Sequence, residues 1–151
     1  MLFFLLCCLG CSSHPNSLVQ EQLEALIKDF NKEIFERYSI ESVSFGGEYE
    51  SVVKKITLSY SSIYSLDRSK AVFLVQRIAD DFLFYLNRNQ GLVCYIKPKP
   101  FTRDRLDISI DFFDPKTHQK MGQPFVASVQ IKEGRMALFS YDQTLDKLVP
   151  G

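Results

Sequence analysis

The stretch from Asp67 to Asn89 constrains this chain more than any other. No proline interrupts it, and Val72, Leu74, Val75, Ile78, Ala79, Phe82, Leu83, Tyr85 and Leu86 spread apolar side chains over an arc of about 180° at helical spacing. Asp67 suits the N-cap, and Gly91 stands just past the last turn as a stop. A helix that is apolar around half its circumference needs a broad apolar surface to cover it. A sheet fits that need, so the rest of the chain is expected to supply strands.

Strand patterns are plentiful. Lys54 to Ser61 alternates Ile56, Leu58 and Tyr60 with Lys55, Thr57 and Ser59, while Leu106, Ile108, Ile110 and Phe112 alternate with Asp107, Ser109 and Asp111. Phe125, Ala127, Val129 and Ile131 repeat the pattern, and Lys132-Glu133-Gly134-Arg135 reads as a hairpin turn into Met136 to Tyr141. Ile40 to Phe45, broken by Gly46-Gly47, reads as a further strand. So does Leu92 to Ile96, followed by Lys97-Pro98-Lys99-Pro100, whose prolines cannot donate to a ladder and favour extended geometry, as a connector or an edge. Ahead of them all, Ser17 to Tyr38 forms an amphipathic helix with Val19, Leu23, Leu26, Ile27, Phe30, Ile34 and Tyr38 within about 120° of arc, started by a capping box of Ser17 and Gln20. The predicted fold is α+β: a mainly antiparallel sheet of about four to six strands with two helices packed on one face and a C-terminal β-meander. A single domain over residues 17–151 is large enough to stand without metal or disulfide.

The N-terminus differs in kind. Leu2 to Cys11 carries no charged or strongly polar side chain and gives way at once to Ser12, Ser13, His14, Pro15 and Asn16. Even wholly helical, that run would span about 15 Å, half of a hydrocarbon layer of roughly 30 Å, so it reads as a signal-peptide apolar region. Cys8-Leu9-Gly10-Cys11 resembles the lipobox of bacterial lipoproteins. The resemblance rests on Gly10 and Cys11; Cys8 and Leu9 depart from the usual leucine and small residue. It implies cleavage between Gly10 and Cys11, lipid on the Cys11 thiol, a signal over residues 1–10 and a lipidated tether over 11–16. The protein would then sit in the cell envelope, held to a bacterial membrane. Removal of Cys7 and Cys8 and lipidation of Cys11 leave Cys94, whose apolar neighbours suggest core packing.

Few side chains suggest chemistry. The histidines are His14 and His118, too few for a zinc site, and nothing in the sequence joins Cys94 to His118 as a nucleophile and base. Asp107-x-Ser109-x-Asp111-x-x-Asp114 has the oxygen spacing of a calcium loop but places Phe112 where the sharp turn needs glycine. Asp80 and Asp81 point about 100° apart on a helix and do not share a site. Gly46-Gly47 lacks the lysine of a phosphate loop. With 18 Lys and Arg against 18 Asp and Glu, no net field attracts nucleic acid, which is not expected as a partner. Locally, Lys97, Lys99, Arg103 and Arg105 gather positive charge that could meet lipid headgroups or an anionic polymer.

Phe73 and Phe84 break the helix pattern, since both fall on its polar side. Either a second layer covers them or they are exposed as partner contacts. The chain is therefore read as a non-enzymatic envelope protein without cofactor, acting through contacts with a membrane-apposed protein. The alternatives are a lipid or small-ligand binding module, marked by a cavity of at least roughly 300 Å³ between sheet and second helix, and a hydrolase joining Cys94, His118 and a carboxylate in one cleft.

Overall fold

A computed structural model describes residues 15–151. Gly10, Cys11 and His14 lie outside the described residues. The order is α1 (Pro15–Tyr38), β1 (Glu41–Tyr49), β2 (Val53–Ser62), α2 (Arg68–Arg88), a 3-10 turn (Arg103–Arg105), β3 (Leu106–Phe112), β4 (Ser128–Lys132), β5 (Arg135–Asp142) and β6 (Lys147–Pro150). The strands form one sheet in sequence order. Four of the neighbouring pairs are antiparallel; β2 and β3, joined by the crossover through α2, are parallel. The α+β class and the C-terminal meander, β3 to β6, are as expected.

One face of the sheet carries the core. Ile56, Leu58 and Tyr60 of β2 and Leu106, Ile108, Ile110 and Phe112 of β3 are buried in the same cluster as Val19, Leu23, Ile27, Phe30 and Ile34 of α1 and Val75, Ile78, Phe82 and Leu86 of α2. Both helices therefore cover that face, while Lys55, Thr57, Ser59, Asp107, Ser109 and Asp111 point to the other, where Lys55 Nζ meets Asp107 at 2.9 Å. Phe30 sits edge-on to Phe82, with ring centroids 5.0 Å apart, and also touches Tyr85 at 5.9 Å. Gln22 lies close to Gly91, and Arg37 pairs with Asp81 at 3.4 Å, so the helices run antiparallel.

Asp67 caps α2 by accepting a hydrogen bond from the Lys70 N–H at 2.9 Å. That contact and the neighbouring Lys70 ammonium hold the Asp67 carboxyl below the usual carboxylate range. The Glu133-Gly134 turn has φ of 50° and 73°, the two positive values of a type I′ hairpin.

Other boundaries move. Helix α1 starts at Pro15, two residues ahead of Ser17, because proline's fixed φ and missing N–H suit a first helical position; Pro15 and Asn16 belong to the helix and not to a tether. Gly46-Gly47 is not a break. Both lie inside β1, and a Cβ on Gly47 would come within 2.7 Å of the Lys55 carbonyl, so glycine there permits close approach of β2. Leu92–Ile96 is not a strand. Asn89 accepts from the Leu92 N–H at 3.0 Å and winds the segment into turns that bury Leu92 and Ile96, four residues apart, and leave Cys94 exposed, contrary to the core placement expected for it. The Lys97–Pro100 segment bends repeatedly and does not extend. Strand β4 begins only at Ser128, leaving Phe125 exposed before it.

Tyr60 marks where core and hydrogen bonding meet. Its hydroxyl donates to Asn31 Oδ1 at 2.8 Å, and the Asn31 amide donates to Ser42 Oγ at 2.9 Å, linking β2, α1 and β1. Burial pushes the Tyr60 phenol well above its ordinary value of 10.0. The unfolded chain therefore releases this proton first, so the contribution is complete below about pH 10 and is lost as pH rises above it, with a slope of up to about 1.4 kcal/mol per pH unit. Denaturant titrations between pH 9 and 11.5 should show that fall, and Tyr60→Phe should flatten it. An unchanged alkaline limb in the variant would refute the assignment.

Candidate functional site

The end of the fold where α1 and β2 finish and α2 begins is built from a serine-rich connection carrying two large apolar side chains. Helix α1 stops at Ser39, whose φ of 51° lets its N–H reach back to the Phe35 carbonyl at 2.8 Å. Strand β2 stops at Ser62, whose hydroxyl accepts from the Tyr64 N–H at 3.2 Å. That turn throws Ile63 and Tyr64 outward, 55% and 49% exposed, before Leu66 turns back toward the core and Asp67 starts α2. Phe73, one turn into α2, is 69% exposed.

Between them runs an apolar groove of about 460 Å³, lined by Tyr38, Ile40, Tyr64, Leu66, Phe73 and Leu74, with Ser62, Ser69 and Lys70 completing its lining. A second groove of about 380 Å³ shares Ser62 and Tyr64 and continues past Phe35, Ile63, Phe113 and His118. Tyr64 is thus the ridge between two grooves. They lie off the carboxyl ends of the parallel β2–β3 pair, the position where crossover helices leave crevices. Between α2 and the sheet, Val75, Ile78 and Phe82 are fully buried.

Phe73 and Phe84 are both exposed, not covered by a second layer. Their shared stripe does not make one site. Eleven residues of helix separate them by about 16 Å. Phe73 faces the groove, whereas Phe84 lies near the other end of α2 under the Arg88 guanidinium, 4.5 Å from its ring centre. Ile63, Tyr64 and Phe35 escaped sequence reasoning. The available signal was Ile63-Tyr64 within the serine-rich connection, and Phe35 off the apolar arc of α1.

The basic cluster divides as well. Arg103 pairs with Asp80. Arg105 donates to the carbonyls of Lys97 at 2.8 Å and Pro98 at 3.1 Å, with its guanidinium 4.2 Å above the Phe101 ring. Lys97 and Lys99 are exposed and make no ion pair among the described residues.

The remaining candidates stay apart. An isolated bridge from Val53 to Ile96 sets Cys94 near the start of β2, and one from Phe113 to Lys120 sets His118 past the end of β3. The length of a strand, about 30 Å, therefore separates thiol and imidazole. Asp107 pairs with Lys55, Asp111 with Lys120 at 3.1 Å, and Ser109 bonds Ser59 at 3.2 Å. Asp114 accepts from the N–H groups of Thr117 and Lys116, which lower its carboxyl. Asp81 takes Arg37 and Arg77. Among the described residues no group of three or more His, Cys, Asp or Glu could hold a metal ion, and no helix is long and apolar enough to cross a membrane. Comparison with protein-family models, with curated proteins and with solved structures finds no match for this chain.

Proposed function

We propose that this chain is a lipoprotein of the bacterial cell envelope, anchored through Cys11, whose domain works through protein contacts, without catalysis or cofactor, at the double groove around Tyr64. The observation that supports this reading is the gathering of exposed Phe35, Ile63, Tyr64 and Phe73 at one end of the fold beside an apolar groove. Scattered surface hydrophobics are ordinary, but a contiguous set around a concave surface is the usual mark of a partner site, with aromatic side chains as its anchors. The separation of Cys94 from His118 speaks against the hydrolase alternative.

The test is recovery of partners from the protein's own membrane with the lipidated chain as bait. Tyr64→Ser combined with Phe73→Ser should lower recovery at least about tenfold, as loss of two interface anchors does, while the unfolding midpoint stays nearly constant. Phe84→Ser should retain recovery. Undiminished recovery by the groove variant would remove this surface from the proposal. The groove volume also suits a small apolar ligand. An amphiphile released from the denatured wild type and absent from the groove variant would make the domain a ligand-binding module.

A further inference from the structure

The end of the domain opposite the grooves has a different character. Pro15 opens α1 there, and Gln22 beside Gly91 brings the end of α2 to the same place. The starts of β2 and β3 and the turn from Asn89 to Pro100 complete it. Its exposed side chains include Lys97, Lys99 and Arg88, the last lying over exposed Phe84. Glu50 nearby pairs with Lys54 at 3.1 Å and Asp107 with Lys55 at 2.9 Å, while the two turn lysines make no ion pair among the described residues.

The turn that displays them is held fast. Arg105 ties down the Lys97 and Pro98 carbonyls. Buried Phe101 bonds Asn87 of α2 in both directions, N–H to Oδ1 at 2.7 Å and amide to carbonyl at 2.9 Å. Lys97 and Lys99 thus project from a fixed platform at the end where the described chain begins.

We propose that this end is a headgroup-contact surface, on which Lys97 and Lys99 meet an anionic lipid bilayer. It deepens the anchored reading, resting on it for the bilayer in question. Charge complementarity and the position of Pro15 select a bilayer: a lipid on Cys11, four residues before Pro15, would hold this end and no other against the headgroups. The grooves would then face away from the membrane, about 36 Å off along α1 if the helix stands upright.

A chain beginning at Ser12 contains every core residue found among the described residues, the first of which is Val19, so the contact can be measured without lipid or signal. Sedimentation with phosphatidylcholine vesicles containing about 30% phosphatidylglycerol should show binding that weakens in high salt and is absent with phosphatidylcholine alone. Each lysine near an anionic surface is worth about fivefold in partitioning, so Lys97→Ala with Lys99→Ala should lower it about 25-fold. Lys28→Ala with Lys32→Ala, on the solvent side of α1, should not. Equal partitioning of the Lys97/Lys99 variant and wild type, equal binding to neutral vesicles, or retention by soluble polyphosphate without vesicle binding would each overturn the proposal. Because this chain lacks Cys11, failure here leaves the anchor untouched, and failure of lipidation leaves this result standing.

Discussion

Phe82→Ala should destabilise the domain by about 3–5 kcal/mol, the range for removing an aromatic ring from a packed core. The ring is fully buried and lies edge-on to Phe30, at the contact where α1, α2 and the sheet meet. Relaxation around the void is limited, since Val75, Ile78 and Leu86 on the same face are themselves fully buried. Phe84→Ala, two residues along the helix, should change stability by less than about 0.5 kcal/mol because its ring is 61% exposed. Urea midpoints measured at constant m-value compare the two. Similar losses for both variants would mean that α2 presents a different face to the sheet.

Cys11→Ala should abolish lipidation outright. In a bacterium that processes lipoproteins, the wild type should take up labelled palmitate and fractionate with membranes, and the variant should do neither. Without its lipid the domain would retain only the weak, salt-sensitive contact of Lys97 and Lys99. Palmitate on the Cys11→Ala protein would refute the anchor. The connection is short: Ser12, Ser13 and His14 stand between Cys11 and Pro15, and the four steps reach about 14 Å at most. Insertion of about twenty Gly/Ser residues ahead of Pro15 should leave palmitate uptake unchanged and lower function where close apposition matters.

Patterns of period 3.6 and 2 were legible wherever an element buries one face. Helix α2 with its Asp67 cap, the alternation of β3 and the Glu133-Gly134 hairpin followed directly from such patterns. Elements decided by contacts outside their own pattern did not. Gly46-Gly47 resembles a turn until β2 is seen passing at van der Waals distance, and Leu92–Ile96 resembles a strand until Asn89 is seen winding it. Strand β6 is only four residues long and ends in Pro150, so it has too little alternation to register; its pairing with β5 defines it. The basic residues at 97, 99, 103 and 105 were equivalent in sequence, and tertiary contacts alone separate the two lysines from the two arginines. The groove was hidden for the same reason: Tyr38, Tyr64 and Phe73 come together only when the ends of three elements are packed.

The parallel seam between β2 and β3 also sets the order in which this sheet can be assembled. The β1–β2 hairpin and the β4–β6 strands each close through short connections, whereas β3 reaches β4 through residues 113–127 and joining β2 to β3 requires the chain to travel from Ser62 to Leu106 through all of α2. Loop closure of that length is slow compared with hairpin formation. During synthesis, where a chain emerges from its N-terminus, β2 would wait beside β1 with its other edge open. Ile56, Leu58 and Tyr60 would be uncovered until α2 and β3 arrive. A central strand of the finished sheet is thus the vulnerable edge of the half-made one, and the interval before β3 docks is when this chain most needs protection from pairing with its neighbours.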